Sequence, residues 1–125
     1  MKPKRILVVD DEPSVTRSLK VNLEDTLRYE VQTENDATHA MAAAREFHPD
    51  LILLDVIMPG LDGCDVSARI HADSELRDTP IVYLTALATN EDTGGKTMIA
   101  GSTVYVAKPV ILGELIRFMD QHMRQ

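Results

Sequence analysis

At 125 residues, 44% apolar and 26% charged, the chain has ordinary globular composition. Roughly 100–150 residues usually build one core, so a single domain over 1–125 is expected, and both a second domain and intrinsic disorder are excluded. Twenty acidic against thirteen basic residues give a formal charge of -7, a field that repels nucleic acid and anionic membrane and argues against direct contact with either.

The start, Met1-Lys2-Pro3-Lys4-Arg5, is basic like a secretion signal, but the apolar run Ile6-Leu7-Val8-Val9 stops at two aspartates, short of the ~7–15 residues a signal needs. That run predicts instead a first strand buried on both faces. Val15, Leu19 and Leu23 recur at helical spacing and predict an amphipathic helix. Tyr29-Glu30-Val31-Gln32-Thr33-Glu34 alternates, which suits a strand with one exposed face at a sheet edge. Ala37, Ala40, Met41 and Ala44 return to helical spacing. The runs Leu51-Ile52-Leu53-Leu54, Ile81-Val82-Tyr83-Leu84 and Val104-Tyr105-Val106-Ala107 predict three more buried strands, and Leu112, Leu115, Ile116, Met119 and Met123 a closing helix. A helix is also expected between the fourth and fifth strands. Thr93-Gly94-Gly95-Lys96 falls there, each interior glycine costing about 1 kcal/mol, so that helix should be short, late-starting or mobile. Strands alternating with helices give an α/β fold: a doubly wound, five-stranded parallel sheet of order 2-1-3-4-5, flavodoxin-like.

In such sheets ligands bind beyond the carboxyl ends of the strands, where strand order reverses. Asp10-Asp11-Glu12 follows the first strand, Asp55 ends the third, Thr85 ends the fourth, and Lys108 follows the fifth ahead of Pro109. Carboxylates held together repel unless one protonates or a cation binds. Oxygen ligands without Cys or His favour Mg²⁺, with Mn²⁺ admitted, and Mg²⁺ commonly shares its shell with phosphate oxygens. A carboxylate can act as nucleophile towards phosphorus while cationic groups neutralise the transferring charge, and Asp55, central and opposite Lys108, is the candidate nucleophile. Taken alone, Asp10-Asp11-Glu12 also suits an acidic helix start favoured by the macrodipole, and Lys108 a solvated charge.

Four motifs in order, Val8-Val9-Asp10-Asp11-Glu12-Pro13, Leu53-Leu54-Asp55-Val56-Ile57-Met58-Pro59-Gly60-Leu61-Asp62-Gly63, Leu84-Thr85-Ala86 and Tyr105-Val106-Ala107-Lys108-Pro109, make the chain resemble the receiver domain of two-component response regulators over nearly its whole length. The resemblance implies that Asp55 is the phosphoacceptor and that Asp11 ligates Mg²⁺ directly, Asp10 largely through water, and Ile57 through its backbone carbonyl. It implies that Thr85 and Lys108 bond phosphoryl oxygens and that Thr85 and Tyr105 form the switch. It further implies transfer from a sensor histidine kinase or phosphotransfer protein, an output domain or protein downstream, and a role as phosphoacceptor and not as an enzyme. A phosphorylation-dependent homodimer is compatible with it. The lone cysteine, Cys64, cannot close an intrachain disulfide, and a reducing cytoplasm is the simpler setting.

The chain departs from the family pattern at Ala100-Gly101-Ser102-Thr103-Val104, where small and acidic residues are usual, and at Ile57 and Leu87, apolar positions that cannot orient an attacking water. A haloacid-dehalogenase-like hydrolase would want Asp-x-Asp after the first strand, and an FMN carrier hydroxyls and amides there. A phosphorylation-independent interaction module would keep the fold. Gly94-Gly95-Lys96-Thr97 lacks the glycine a P-loop needs at Asn90, and His39, His48, His71 and His122 are scattered surface candidates.

Overall fold

In a computed structural model of the chain, residues 3–55, 57–58, 61–85, 97–100, 103–107 and 111–123 are described, those at 57–58, 61–64, 85, 97–100, 103–107 and 122 by their backbone. The first strand, β1 (Lys4–Val9), lies between two parallel neighbours, β2 (Tyr29–Glu34) and β3 (Leu51–Asp55). Beyond β3 come β6 (Ile81–Thr85) and β8 (Thr103–Ala107), again parallel. The order β2-β1-β3-β6-β8 is the expected 2-1-3-4-5.

Consecutive residues of a strand face opposite ways, and here both faces are covered, which is why the strands are continuously apolar. Ile6, Val8, Leu51, Leu53, Val82 and Leu84 pack on one side with Leu19 and Leu23 of α1 (Pro13–Glu24) and Leu115 and Met119 of α4 (Leu112–Met123). Leu7, Val9, Ile52, Leu54, Ile81 and Tyr83 pack on the other with Ala40 and Ala44 of α2 (Ala40–Phe47) and Val66 and Ile70 of α3 (Gly63–Ala72). Pro13 starts α1 where its missing N–H costs nothing. His48 takes the left-handed conformation at the end of α2, φ 54°.

The outer edge of β2 is covered by α1 side chains. Glu24 Oε2 accepts the Val31 N–H at 3.0 Å, Lys20 Nζ donates to the Val31 carbonyl at 2.6 Å, and the two side chains pair at 3.2 Å. At the amino end of the same strand, Tyr29 donates its hydroxyl to Asp120 Oδ1 of α4 at 2.7 Å, and Arg28 pairs with the same carboxylate. Burial, then the neighbouring Asp120 carboxylate, pushes the Tyr29 phenol up to about 12.

Two features differ from the expected pattern. A short antiparallel hairpin, β4 (Ile57–Met58) with β5 (Leu61–Asp62), precedes α3; two-residue strands leave no periodic signature. Of the segment expected to carry a helix before the last parallel strand, Gly94-Gly95 lies outside the described residues, and Thr97–Ala100 is not helical. It forms β7, antiparallel to β8 on the outer edge, with Ala100 facing Thr103. The β-branched Thr97 and Ile99 favour a strand, and two residues of sequence between the partners suit a tight hairpin. Among the described residues no helix is long and apolar enough to cross a membrane.

Candidate acidic site at the carboxyl ends of the strands

Val9 of β1 pairs with Leu54 of β3, so the next residue on each strand is an aspartate, and the parallel register brings Asp10 and Asp55 to the same level. Asp10 is fully buried and Asp55 is 4% exposed, while Asp11 is half-buried. One carboxylate oxygen from each of Asp10, Asp11 and Asp55 lies within 4.8 Å of the others. Buried carboxylates are rare without compensation, and three gathered at the switch point make a place where a cation can bind. The donor set is all oxygen, which fits a hard divalent ion such as Mg²⁺.

The loop that carries the acidic pair is held at several points. The Asp10 N–H donates to the Glu34 carbonyl at 3.1 Å, continuing the β1–β2 ladder one residue past its end. Asp10 Oδ1 accepts the Glu12 N–H at 3.0 Å, which fixes the turn into α1. Asn35 Nδ2 donates to the Asp10 carbonyl at 2.8 Å and to Thr16 Oγ1 at 3.0 Å, and Thr16 Oγ1 in turn donates to the Pro13 carbonyl at 3.2 Å. The acidic pair thus sits just ahead of the positive end of α1, a favourable place for negative charge.

The remaining candidates are placed by their strands. Thr85 ends β6 opposite Ala107 of β8. Tyr105 lies in β8, paired with Tyr83 on one side and Met98 on the other. Ile57, two residues past Asp55, is in β4 opposite Asp62. Lys108, Leu87 and Pro109 lie outside the described residues. His39, His48 and His71 are exposed, as expected for surface histidines. Asn35 and Thr16 were not singled out by sequence; the signal available was that Asn35 directly follows the second strand, at the same end of the sheet as Asp10.

The family model for the response regulator receiver domain matches residues 6–120. The chain belongs to that family. As a receiver domain it acts in two-component phosphorelay signalling. It is 37% identical over 122 residues to the DNA-binding response regulator MtrA of Mycolicibacterium smegmatis, covering 98% of this chain and 51% of that protein. It is 35% identical over 112 residues to the DNA-binding dual master transcriptional regulator RpaA of Synechocystis, covering 90% of this chain and 46% of that one. The receiver therefore spans about half the length of these relatives. Among solved structures it resembles the chemotaxis response regulator CheY4 of Vibrio cholerae, with TM-score 0.79, 28% identity, and coverage of 97% of this chain and 99% of that one. Receiver domains generally bind Mg²⁺, and the Asp10, Asp11 and Asp55 cluster can hold a metal ion.

Proposed function

We propose that this receiver takes a phosphoryl group onto Asp55 from a phosphohistidine of a sensor histidine kinase or a phosphotransfer protein. The supporting observation is the convergence of three carboxylates within 4.8 Å, two of them buried, in a chain of this family. An Asp55 carboxylate oxygen attacks phosphorus, the P–N bond breaks, and the leaving imidazole takes a proton as the aspartyl phosphate forms. Asp11, Asp55 and the Ile57 carbonyl would hold a divalent cation, Mg²⁺ or Mn²⁺, with Asp10 acting through water, and the bound cation would neutralise charge at the transferring group. That Asp10 Oδ1 is engaged by the Glu12 N–H supports the indirect role for Asp10. Lys108 and Thr85 bond phosphoryl oxygens, and Thr85 with Tyr105 carries the change to a protein-interaction face.

The chain is a phosphoacceptor that modifies itself, not a turnover enzyme, and it works in the cytoplasm. Its net charge of -7 directs output to a further domain or a separate protein, such as the DNA-binding parts that MtrA and RpaA are named for. A phosphorylation-dependent homodimer is one form that output takes. The antiparallel β7 beside β8 favours, as a second reading, output through a face that signals without phosphorylation.

Intact mass after incubation with acetyl phosphate and Mg²⁺ tests the proposal. One added phosphoryl group, absent in Asp55→Asn, is expected. Capture that survives Asp55→Asn and is lost in Asp10→Asn overturns it in favour of a hydrolase. Stoichiometric labelling with no change in NMR shifts or oligomeric state favours the phosphorylation-independent face.

A further inference from the structure

We propose that Asn35 is a positioning residue for the acidic site, setting the place of Asp10 and Asp11 through the main chain and not by touching the cation. The inference rests on the cation-site reading above and goes beyond it in naming the residue that orders the loop.

A backbone carbonyl accepts and never donates, so the Asn35 amide must present its nitrogen to the Asp10 carbonyl, 2.8 Å away. The same nitrogen reaches Thr16 Oγ1 at 3.0 Å, and that hydroxyl spends its proton on the Pro13 carbonyl at 3.2 Å. One side chain thereby ties the residue bearing the first carboxylate to the first turn of α1, across the loop that carries Asp11. Asn35 itself is exposed, yet its amide contacts a fully buried residue and a buried threonine. An exposed asparagine with only solvent to serve would not be held by two such partners.

Removing the donor leaves the Asp10 carbonyl one partner short and frees the loop to drift. Groups that orient a ligand without touching the metal typically cost about 10–100-fold in affinity, and a single neutral hydrogen bond less, so Asn35→Ala is expected to weaken Mg²⁺ binding roughly three- to thirtyfold. Asn35→Ser, with a shorter donor, should fall between. The experiment is a Mg²⁺ titration followed by NMR, reading the Glu12 amide, whose proton points at Asp10 Oδ1. Ser67→Ala, which removes the Tyr83–Ser67 hydrogen bond on the other face of the sheet, is the matched control for lost stability.

Weakened Mg²⁺ binding and a displaced Glu12 resonance in Asn35→Ala, both absent in Ser67→Ala at comparable loss of melting temperature, are the expected result. Unchanged Mg²⁺ affinity in Asn35→Ala, or equal weakening in Ser67→Ala, overturns the inference alone. A wild-type protein showing no Mg²⁺-dependent shifts overturns the cation-site reading and the inference with it.

Discussion

The two ends of the sheet use aspartate in opposite ways. At the amino ends Asp50, Asp73 and Asp120 each accept from donors of the protein itself. Asp50 accepts the Arg5 N–H at 2.8 Å, Asp120 accepts from Tyr29 and Arg28, and Asp73 accepts from Arg45 Nε at 2.7 Å and the Glu75 N–H at 2.8 Å. The Glu75 N–H and then Arg45 hold Asp73 below the usual carboxylate range. At the carboxyl ends Asp10, Asp11 and Asp55 are gathered against one another. The difference separates acidic residues that tie elements together from acidic residues gathered where a cation can bind, although composition counts them alike.

The sharpest way to break this comparison is one neutralisation at each end. Asp55→Asn is expected to abolish phosphoryl capture, read as added mass with acetyl phosphate and Mg²⁺. Asp50→Asn, which keeps an oxygen to accept the Arg5 N–H, should be labelled like wild type. Loss of labelling in both variants would show that the two ends are not functionally distinct.

Next in size is a reversal of sign in stability. Mutual repulsion at the carboxyl ends predicts that Asp10→Asn raises the melting temperature without divalent ions, by about 4 °C if about 1 kcal/mol of repulsion is relieved. Wild type should gain more from saturating Mg²⁺, since ligand at 100 times its Kd contributes about 2.7 kcal/mol. Thermal melts with EDTA and with Mg²⁺ check both. An Asp10→Asn protein less stable than wild type in EDTA would mean that the contacts Asp10 makes, the Glu12 N–H among them, outweigh the repulsion.

A smaller effect concerns the lifetime of the phosphorylated state. Ile57 and Leu87 are apolar, so neither side chain can hold a water in line with an aspartyl phosphate. Ile57→Asn with Leu87→Glu should speed decay roughly tenfold, less than the ~10²–10⁴ of a full general acid or base, because a side chain that only orients water need not take its proton. Decay followed by loss of added mass, unchanged or slower in the double variant, would contradict this.

The parts of this molecule that were legible in sequence are those where one physical demand dominates. Strands buried on both faces must be apolar throughout, so Leu51-Ile52-Leu53-Leu54 and its counterparts stood out, and polar residues at their carboxyl ends marked the site. β7 was hidden because Gly94-Gly95 argues against a helix without arguing for a strand, and its four residues gain their structure from pairing with β8. Asn35 was hidden for another reason. It is an exposed asparagine after a strand, and its partner is a main-chain carbonyl 25 residues away in sequence, which no local pattern encodes.

The smallest effect tests the matched kind of carboxylate at the edge of the sheet. Glu24 is held below its ordinary value of 4.5, first by the Val31 N–H, against the opposing cost of burial, and then by Lys20. A depressed carboxylate pKa means the unfolded chain binds the proton more readily, so the contribution is fully present above about pH 4.5 and is lost as pH falls through the lower folded value. The Glu24 side chain is 37% exposed and Lys20 44%, so solvent screening limits the effect to about 0.5 kcal/mol. Glu24→Gln keeps an oxygen for the Val31 N–H and removes the charge. Its melting temperature should lie below that of wild type at pH 7 and converge with it as pH falls through the lowered folded value, the other carboxylates cancelling in the comparison. A gap that persists at low pH would assign Glu24 a packing role on the β2 edge, and one absent at pH 7 would leave Lys20 alone capping Val31.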